Sequence, residues 1–381
     1  MGKKKPTARP LPSRAFAAKL LAWYDESTTE MPWRGQRDPY RIWLSEIMLQ
    51  QTRIAAAEGY YHRFLNRFPT IQSLAAASLD EVLKLWEGLG YYARARNLHR
   101  LAQVVVKEYD GHFPASAEAL QALPGIGPYT AAAVASIAFG EAVAVLDGNV
   151  VRVLARLIDS PDEISQPKVV KQLWELASTL LPPKRPGDYN QALMDLGRMV
   201  CTPRRPDCQH CPVREFCLAA ARGTQELRPV KKPKAPLPEV RAAAAVIRDE
   251  ASRLLLVQRP EDGLLGGLWT LPGGRCEPDE TYADCLQRSL AQTLGIEIRV
   301  GSEMAAATQT LTHFHLRLRA FACELIAGTP SGETRWAWVA PAELSSYSLG
   351  KADREIVDQL ERWQPRLFEE FSLPNNDQPN E

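Results

Sequence analysis

The chain has 381 residues, a length that predicts two or three domains at roughly 100–200 residues each. Hydrophobic residues make up 45% and charged residues 24%, which excludes a wholly disordered chain. The net charge of +1 conceals an asymmetry, because residues 1–240 hold 32 Lys and Arg against 24 Asp and Glu, whereas residues 241–381 hold 14 against 21. The positive excess of the first part indicates a polyanionic partner.

Membrane and export signals are not expected from the composition of the chain. No uninterrupted apolar run approaches the roughly 18 residues of a membrane span. The first residues are basic, but no apolar segment follows them, which is not typical of a secretory signal. Four of the seven cysteines lie between Cys201 and Cys217, a density that indicates a metal site rather than disulfide bonds. We therefore expect a cytoplasmic protein in a reducing environment, without membrane contact.

The first part of the chain is predicted to be all helical. A basic N-terminal tail over residues 1–12 is expected to precede a helical region over 13–222, in which no alternating β-branched runs occur. Ser13 is a candidate N-cap and Pro39 a candidate first helical residue. Apolar residues at helical spacing predict helices over 14–25, from Pro39 onward, over 166–181 and over 188–200.

The pattern changes after residue 222. The density of Pro and Lys over 223–240 predicts an extended basic linker, because Pro neither continues a helix nor pairs in a central strand. A mixed α+β domain is predicted over 241–365, followed by a polar tail over 366–381. In this domain the sequence predicts strands over Arg241–Ile247, Arg253–Gln258 and Thr312–Cys323, and a helix over Thr281–Leu294.

The cysteine cluster has the spacing C-x6-C-x2-C-x5-C, formed by Cys201, Cys208, Cys211 and Cys217. Four thiolates this close in sequence can bind one metal centre. A zinc site is the main alternative, but such sites favour two tight cysteine pairs, and only one pair is tight in this chain. The unequal loops better suit the four corners of an iron–sulfur cluster.

A second motif is the segment Leu123-Pro-Gly-Ile-Gly-Pro-Tyr-Thr130, which precedes a helix rich in small residues. A helix, a tight turn with Gly125 and Gly127, and a second helix would leave backbone N–H groups free at a helix N-terminus. Such groups bind phosphate oxygens, and the glycines let a DNA backbone approach closely. A plain interhelical turn is the alternative interpretation.

Two carboxyl groups stand in contexts that suit acid–base chemistry. Glu46 is flanked by Trp43, Ile47 and Met48, so we expect a desolvated carboxyl group whose protonated form is favoured. Asp147 ends an apolar run and precedes a helix, where an N-cap carboxylate is stabilised as the anion. Helix capping alone would also explain an Asp at position 147. For Glu46 the alternative is simple exposure to solvent, which is the usual state of a glutamate in a helix. A protonated Glu with an ionised Asp is the pair that cleaves glycosidic bonds.

These features occur in the order found in helix-hairpin-helix DNA glycosylases with an iron–sulfur cluster, and the chain as a whole resembles the MutY-type adenine DNA glycosylases. The resemblance implies a multidomain fold, in which an all-α helix-hairpin-helix glycosylase region with a [4Fe-4S] loop precedes an α+β Nudix-like domain. The matching segments contain Trp33 and Arg34, Glu46 to Thr52, Leu89 to Tyr91, the hairpin, Asp147 to Asn149, Gln191 to Asp195, and the four cysteines.

The resemblance implies a monomeric enzyme that binds double-stranded DNA and excises adenine opposite 8-oxoguanine or guanine. Glu46 would protonate N7 of the flipped adenine, and Asp147 would stabilise the positive sugar with support from Tyr129 and Asn149. Bifunctional relatives carry a Lys as Schiff-base nucleophile where this hairpin has Tyr129. A phenol cannot form that imine, so we expect a monofunctional glycosylase.

The resemblance also implies residues that contact the DNA. Gln191 would read the edge of the adenine. The residues that would fill and wedge the duplex on the 8-oxoguanine side are Gln51 and Tyr91, aided by Leu89, Arg34 and Thr52.

The last domain resembles the Nudix (MutT-like) fold. Six positions of the Nudix box match, namely Gly274, Glu280, Arg288, Leu290, Gly295 and Ile296. The three positions that bind metal in the family hold Ser289, Gln292 and Thr293, which cannot supply the carboxylates that Mg²⁺ needs. We therefore expect the fold without pyrophosphate hydrolysis. The loop that recognises 8-oxoguanine in the family aligns with Leu311, Thr312 and His313, although alternating strand residues would also explain the histidines.

Two other functions are compatible with parts of the chain. A nucleotide pyrophosphohydrolase would use the Nudix-like domain, and the incomplete box argues against it. A non-catalytic binder of damaged DNA would use the same helical region without chemistry. Adenine release by the protein distinguishes the glycosylase from both alternatives.

Overall fold

The computed structural model describes residues 12–27, 31–233, 235–332 and 334–363. Apart from Pro12, the predicted N-terminal tail lies outside the described residues, as does the predicted tail over 366–381. The chain forms two compact units. The first unit contains the described residues up to Ala76 and those from Asn97 to 233, and the second contains Ala77–Arg96 and the described residues from Ala235 onward.

Helices make up the regular structure before residue 239. In chain order they are α1 (Ser13–Glu26), α2 (Pro39–Leu49), α3 (Ile54–Arg67), α4 (Ile71–Ala75), α5 (Leu79–Trp86), α6 (Ala93–Glu108), α7 (Ala117–Gln121), α8 (Pro128–Val134), α9 (Gly148–Leu157), α10 (Pro167–Leu180), α11 (Pro186–Met199) and α12 (Leu218–Arg222). A π-helical turn, Ala135–Phe139, extends α8. The prediction of an all-α first part is therefore confirmed.

The start of α1 differs from the prediction. Ser13 is the first helical residue, and Pro12 is the N-cap without a side-chain hydrogen bond. The prediction that Ser13 caps this helix is therefore wrong. The physical reason is that the Pro12 carbonyl already accepts the first helical hydrogen bond, from the Phe16 N–H at 3.0 Å.

The core of the first unit is built from apolar faces of α1, α8, α9, α10 and α11. Val150, Val153, Leu154 and Leu157 recur at helical spacing along α9 and are buried, because this periodicity places them on one side of the helix. The packing of α11 on α9 is close, since a Cβ at Gly197 would lie 2.7 Å from the Cβ of Asn149. A residue larger than glycine would therefore separate two helices that carry candidate site residues.

From residue 235 onward the described part of the second unit combines two sheets and two α-helices, to which its Ala77–Arg96 segment adds α5. A four-stranded sheet has the order β4-β1-β6-β5, with β1 parallel to β6 and the other pairs antiparallel, and a three-stranded antiparallel sheet has the order β3-β2-β7. The elements are β1 (Glu239–Ile247), β2 (Leu254–Gln258), β3 (Trp269–Thr270), β4 (Gly273–Arg275), α13 (Tyr282–Leu294), β5 (Glu297–Thr310), β6 (His315–Ala327), β7 (Trp336–Val339) and α14 (Lys351–Trp363).

Alternate residues of β1 contribute to two separate cores. Ala243 and Ala245 are buried in a core that includes α13, whereas Ala242 and Ala244 are buried in a core that includes α14. This follows from the two-residue period of a strand, which turns successive side chains to opposite faces. Because a helix covers each face of the sheet, the alanines on both faces of β1 are buried.

One predicted strand in this unit, Thr312–Cys323, is wrong in its bounds. Leu311–Phe314 instead forms the turn between β5 and β6, with the Leu311 N–H donating to the Phe314 carbonyl at 2.9 Å. The long strand β5 is not among the predicted strands, since its many small and exposed residues give no clear alternation. The mixed α+β prediction itself is confirmed. None of the helices in the described ranges is both long enough and apolar enough to span a membrane.

Candidate active site

Glu46 lies in the buried part of α2, and its side chain is almost fully enclosed, with the residue only 8% exposed. The helix begins at Pro39, and Asp38 caps it by accepting a hydrogen bond from the Tyr40 N–H. Burial raises the pKa of Glu46, and the negative charge of Asp147 raises it further, whereas the Tyr129 hydroxyl and the charge of Arg34 lower it. The net direction favours the protonated acid.

The predicted hairpin places Tyr129 beside Glu46. α7 ends before Gly125, whose φ of +76° suits glycine, and a Cβ at this position would lie 2.6 Å from the Cβ of Asn97. Gly127 is the N-cap of α8, which starts at Pro128. The phenol of Tyr129 donates a 2.5 Å hydrogen bond to Oε2 of Glu46. The tight turn at Gly125 and the N-cap at Gly127 thus set the start of the helix that carries the phenol in contact with the buried acid.

Asp147 caps α9, as predicted, and its carboxyl group is held by three donors. Its Oδ1 accepts from the N–H groups of Asn149 and Val150 at 3.0 and 2.7 Å, and its Oδ2 accepts from Asn149 Nδ2 at 2.8 Å. These bonds lower the pKa of Asp147, but burial outweighs them and the net pKa is raised. The structure therefore does not give the lowered pKa that helix capping alone predicts. The physical cause of the difference is desolvation.

Arg152 connects this carboxyl group to the cysteine loop. Its Nη2 donates to Asn149 Oδ1 at 2.8 Å and to the Gly197 carbonyl at 2.6 Å, and its Nε donates to the Cys201 carbonyl at 2.7 Å. Because the side-chain oxygen of Asn149 accepts from Arg152, it is the NH₂ group of the Asn149 amide that faces Asp147. Arg152 is not among the residues predicted from the sequence, although an arginine on the apolar face of α9 is a signal that could have indicated it.

An ion pair between Arg34 and Asp195 lies near Glu46. Nη2 of Arg34 donates to both carboxylate oxygens of Asp195 on α11, at 3.1 and 3.0 Å, and Nη1 donates to the Tyr24 hydroxyl at 3.3 Å. On the same helix, Met194 Sδ accepts a hydrogen bond from Tyr129 at 3.2 Å. These contacts place α11 directly beside the Glu46–Tyr129 pair.

The remaining predicted DNA-contacting residues occupy several places. Gln191 is buried on α11, one turn before Asp195. Gln51 follows α2 with a φ of +59° and an exposed side chain, and Thr52 is half-buried. Gln191, Gln51 and Thr52 all belong to the first unit, which also contains Glu46, Tyr129, Asp147 and Asn149.

Leu89 and Tyr91 belong to the second unit, in the turn between α5 and α6. Leu89 is buried, whereas Tyr91 is 46% exposed and has a φ of +49°. The turn is held by Arg94, whose Nη2 donates to the carbonyls of Leu89 and Gly90 at 3.2 and 3.1 Å. A rigid turn with one exposed aromatic ring suits the predicted wedge.

The four predicted metal-binding cysteines line one pocket after α11, together with Arg156 and Arg214. Nη1 of Arg156 donates to Cys201 Sγ at 3.2 Å, the kind of N–H···S contact that surrounds cluster sulfurs. Among the described residues, no three of these four sulfurs lie within 4.8 Å of one another. A single tetrahedral zinc ion would hold its sulfurs about 3.8 Å apart, so the spacing fits a larger cluster better.

The Nudix box of the second unit keeps its structural pair but not its acidic set. Arg288 Nε donates to Glu280 Oε1 at 2.7 Å. Ser289 is buried, and its hydroxyl fills the space where Gly274 would otherwise carry a Cβ. Gln292 and Thr293 are exposed on α13. Hydroxyl and amide groups at these three positions do not form a carboxylate site for Mg²⁺.

The residues aligned with the 8-oxoguanine-recognition loop lie at the tip of the β5–β6 hairpin. Thr312 and His313 are both exposed there, whereas Phe314 is buried, with the guanidinium of Arg275 4.7 Å from its ring centroid. An aromatic ring thus lies beneath the tip, three residues after Leu311. The exposed hydroxyl and imidazole remain available to a ligand.

Comparison with known proteins assigns each part of the chain to a family. Residues 44–179 match the HhH-GPD superfamily base excision DNA repair protein family, residues 201–217 match the iron-sulfur binding domain of endonuclease III, and residues 243–359 match the NUDIX domain. These matches confirm the predicted fold class. The match over 201–217 also confirms the prediction of an iron–sulfur cluster in this loop.

Curated relatives match over most of the chain. The adenine DNA glycosylase of Homo sapiens is 36% identical over 411 residues, which cover 92% of this chain and 75% of that protein, and that of Rattus norvegicus is 37% identical, with 84% and 73% covered. The solved structure of a thermostable thymine-DNA glycosylase is 33% identical with a TM-score of 0.51, and covers 55% of this chain and 97% of that chain. The chain belongs to the adenine DNA glycosylases, base excision repair enzymes that hydrolyse the N-glycosidic bond of adenine in DNA.

Proposed function

We propose that this adenine DNA glycosylase acts as a monomer on adenine opposite 8-oxoguanine or guanine in double-stranded DNA. The observation that carries the proposal is the proximity of three groups: Tyr129 donates to the buried Glu46, and the charge of Asp147 acts on both. Adenine must leave the base stack to reach these groups, at a cost of a few kcal/mol of unstacking and unpairing. A mispaired base is easier to extrude, which favours damaged pairs as substrates.

Glu46 is the proposed general acid. An adenine anion is a poor leaving group, so protonation of N7 lowers the barrier to breaking the bond between the base and the sugar. Burial raises the pKa of Glu46 and so favours its protonated form before the base arrives. The 2.5 Å hydrogen bond from Tyr129 fixes the carboxyl group through Oε2, which leaves Oε1 to carry the proton towards N7.

Asp147 is the proposed stabiliser of the sugar. Loss of the protonated base leaves an oxocarbenium-like sugar, and a fixed negative charge nearby lowers the energy of that state. Three N–H donors hold the Asp147 carboxyl group in one orientation. Asn149 supplies two of them, and Arg152 in turn fixes the Asn149 amide. Water then adds to the sugar and leaves an abasic site.

The iron–sulfur cluster would be held by Cys201, Cys208, Cys211 and Cys217, and it supplies a covalent crosslink that shapes the loop between them. Arg204 and Arg205 are exposed in this loop, where they can bind DNA phosphates. The carbonyl of Cys201 accepts the hydrogen bond from Arg152. The loop that binds DNA is thereby fixed relative to the catalytic Asp147.

The remaining residues act on the DNA around the extruded base. In this proposal Gln191 reads the adenine, Arg34, Gln51 and Thr52 contact the duplex, and Tyr91 wedges it beside Leu89. The turn at Gly125 and Gly127 lets the DNA backbone approach the start of α8 closely. Thr312 and His313 contact 8-oxoguanine through the exposed hairpin tip.

The test of specificity is adenine release from duplexes that differ only in the base opposite adenine. Release opposite 8-oxoguanine and guanine, with none opposite cytosine or thymine, supports the proposal. Equal release from all four duplexes would contradict it. Sedimentation of the enzyme with a duplex bearing one lesion tests the monomer, because a single protein per duplex is expected.

A second assay tests the monofunctional mechanism. Borohydride reduces an imine between a lysine and the sugar to a stable adduct, and no such imine can form at Tyr129. We therefore expect no trapped protein–DNA adduct under conditions in which adenine is released. Rapid trapping at a rate that matches base release would rule out this mechanism.

A further inference from the structure

A group of three metal-ligating side chains lies in the second unit, apart from the cluster loop and the catalytic residues. The sulfurs of Cys276 and Cys285 and one carboxylate oxygen of Glu280 all lie within 4.8 Å of one another. Cys285 is buried, and the other two residues are half-buried. The glycosylase reaction uses none of them.

We propose that Cys276, Glu280 and Cys285 bind a single zinc ion, with a water molecule as the fourth ligand. Zinc accepts both thiolate and carboxylate ligands in a tetrahedral site, whereas Mg²⁺ and Ca²⁺ require oxygen ligands alone. A tetrahedral zinc ion needs sulfurs about 3.8 Å apart. A side-chain rotation of Cys276, which is half-buried, supplies the remaining approach.

The backbone around the site is already ordered for binding. The N–H of Cys276 donates to the Arg241 carbonyl of β1 at 3.0 Å, and the N–H of Cys285 donates to the Thr281 carbonyl in the first turn of α13 at 3.0 Å. The N–H of Glu277 donates to Glu280 Oε2 at 2.8 Å. A ligand set held by a strand and a helix loses little conformational entropy when the ion binds.

Arg288 suits a supporting role at this site rather than a competing one. It donates to Oε1 and Oε2 of Glu280, at 2.7 and 2.8 Å. Because Oε2 also accepts from the Glu277 N–H, Oε1 is the oxygen that keeps a second lone pair for a metal ion. Ligating carboxylates are commonly oriented by such hydrogen bonds. Two thiolates and one carboxylate leave a net charge of −1 with Zn²⁺, and the guanidinium of Arg288 offsets it.

Binding would release the two thiol protons and join the end of β4 to the first turn of α13 through the ion. The ion would lie within the Nudix box, in which Ser289, Gln292 and Thr293 supply no carboxylates. The site would therefore stabilise the fold of the second unit without pyrophosphate hydrolysis. The ion would be additional to the iron of the cluster.

The experiment measures zinc binding by the full-length protein with its cluster intact. After removal of loose metal with EDTA, Zn²⁺ is titrated against a chromophoric chelator, and iron is measured in the same samples. We expect one zinc per chain with unchanged iron, and at least a tenfold loss of affinity in Cys276→Ser. The matched control is Cys323→Ser, because Cys323 lies in the same unit on β6 outside this group, and it should bind zinc like the wild type.

Three outcomes would overturn the proposal. These are no zinc binding by the wild-type protein, equal affinity in Cys276→Ser, and zinc uptake only as iron is lost. A Cys276–Cys285 disulfide detected by mass spectrometry in protein that binds no zinc would also overturn it. Since Cys285 is buried, its serine variant can fail to fold for other reasons. Half-buried Cys276 therefore carries the test, with unchanged adenine release as the proof of folding.

Discussion

The phenol of Tyr129 donates a 2.5 Å hydrogen bond to the buried carboxyl group of Glu46, and this bond lowers the pKa of Glu46 against the effect of burial. In Tyr129→Phe the ring still fills its site, but the pKa of Glu46 should rise. In the proposed mechanism Glu46 acts as the protonated acid, so activity should fall as pH increases through its pKa. We therefore expect the alkaline limb of the pH profile of single-turnover adenine release to move to higher pH.

The acidic limb of the same profile provides the control. Asp147 acts as the anion, so activity should fall as pH decreases through its pKa, which burial raises. Tyr129→Phe should leave this limb in place. An alkaline limb that stays unchanged or moves to lower pH would contradict the assignment of Glu46 as the acid.

The Glu46→Gln substitution removes the transferable proton while keeping size and hydrogen-bonding capacity. The amide oxygen of the new side chain can still accept the hydrogen bond from Tyr129, so folding and DNA binding should be close to wild type. The rate of adenine release should fall by about 10²–10⁴-fold, the usual contribution of a general acid. Single-turnover kinetics and a binding assay on the same duplex measure the two effects, and unchanged turnover would remove the assignment.

The Asp147→Asn substitution removes the negative charge of the carboxylate but keeps a side chain that can cap the helix. Asn caps helices about as well as Asp, so the two backbone bonds to Oδ1 should persist, but the new amide NH₂ would face Asn149 Nδ2 and lose that one hydrogen bond, at a cost of about 1 kcal/mol. The fixed negative charge is lost, and we expect adenine release to slow by about 10²-fold or more. Asp147→Ala is the comparison variant, since it should also lose about 1 kcal/mol of stability with the cap. Equal rates for Asp147→Asn and the wild type would exclude electrostatic stabilisation.

Arg152→Met tests whether Arg152 acts through Asn149. The variant removes the Arg152 donor from Asn149 Oδ1 and the Gly197 carbonyl, while the Cys201 carbonyl keeps the bond from Arg156 Nη1 at 3.2 Å. The free energy of unfolding should fall by roughly 2 kcal/mol. Adenine release should also slow. If Arg152 positions Asn149, its substitution should slow the reaction less in an Asn149→Ala background. Fully additive effects on the rate would show that its role is structural alone.

Gly197→Ala tests the close packing of α11 on α9. The added Cβ would lie 2.7 Å from the Cβ of Asn149 and 3.0 Å from its carbonyl oxygen. We expect a loss of about 1–3 kcal/mol in the free energy of unfolding and slower adenine release, because Asn149 must move. Gly59→Ala on exposed α3 is the control, and it should be neutral or stabilising by up to about 1 kcal/mol. Similar melting temperatures for both variants would contradict this packing role.

Local patterns in the sequence determined much of this enzyme. The spacing of the four cysteines, the two glycines of the hairpin and the helix cap at Asp147 each depend on residues close together in the chain. Helical periodicity and capping are local effects, so the all-α region and its hairpin could be predicted. Local patterns were insufficient for Ser13 and for β5, where neighbouring backbone groups and a weak alternation decided the outcome.

Only the tertiary structure decided how these pieces act together. Glu46 and Asp147 come from different helices, and their burial follows from the packing of α2, α8, α9 and α11. Desolvation depends on the whole surrounding core, which is why the raised pKa of Asp147 could not be predicted from its capping position. Arg152 bonds to three acceptors from separate segments. No local sequence pattern encodes such an arrangement, because it exists only after the segments have packed.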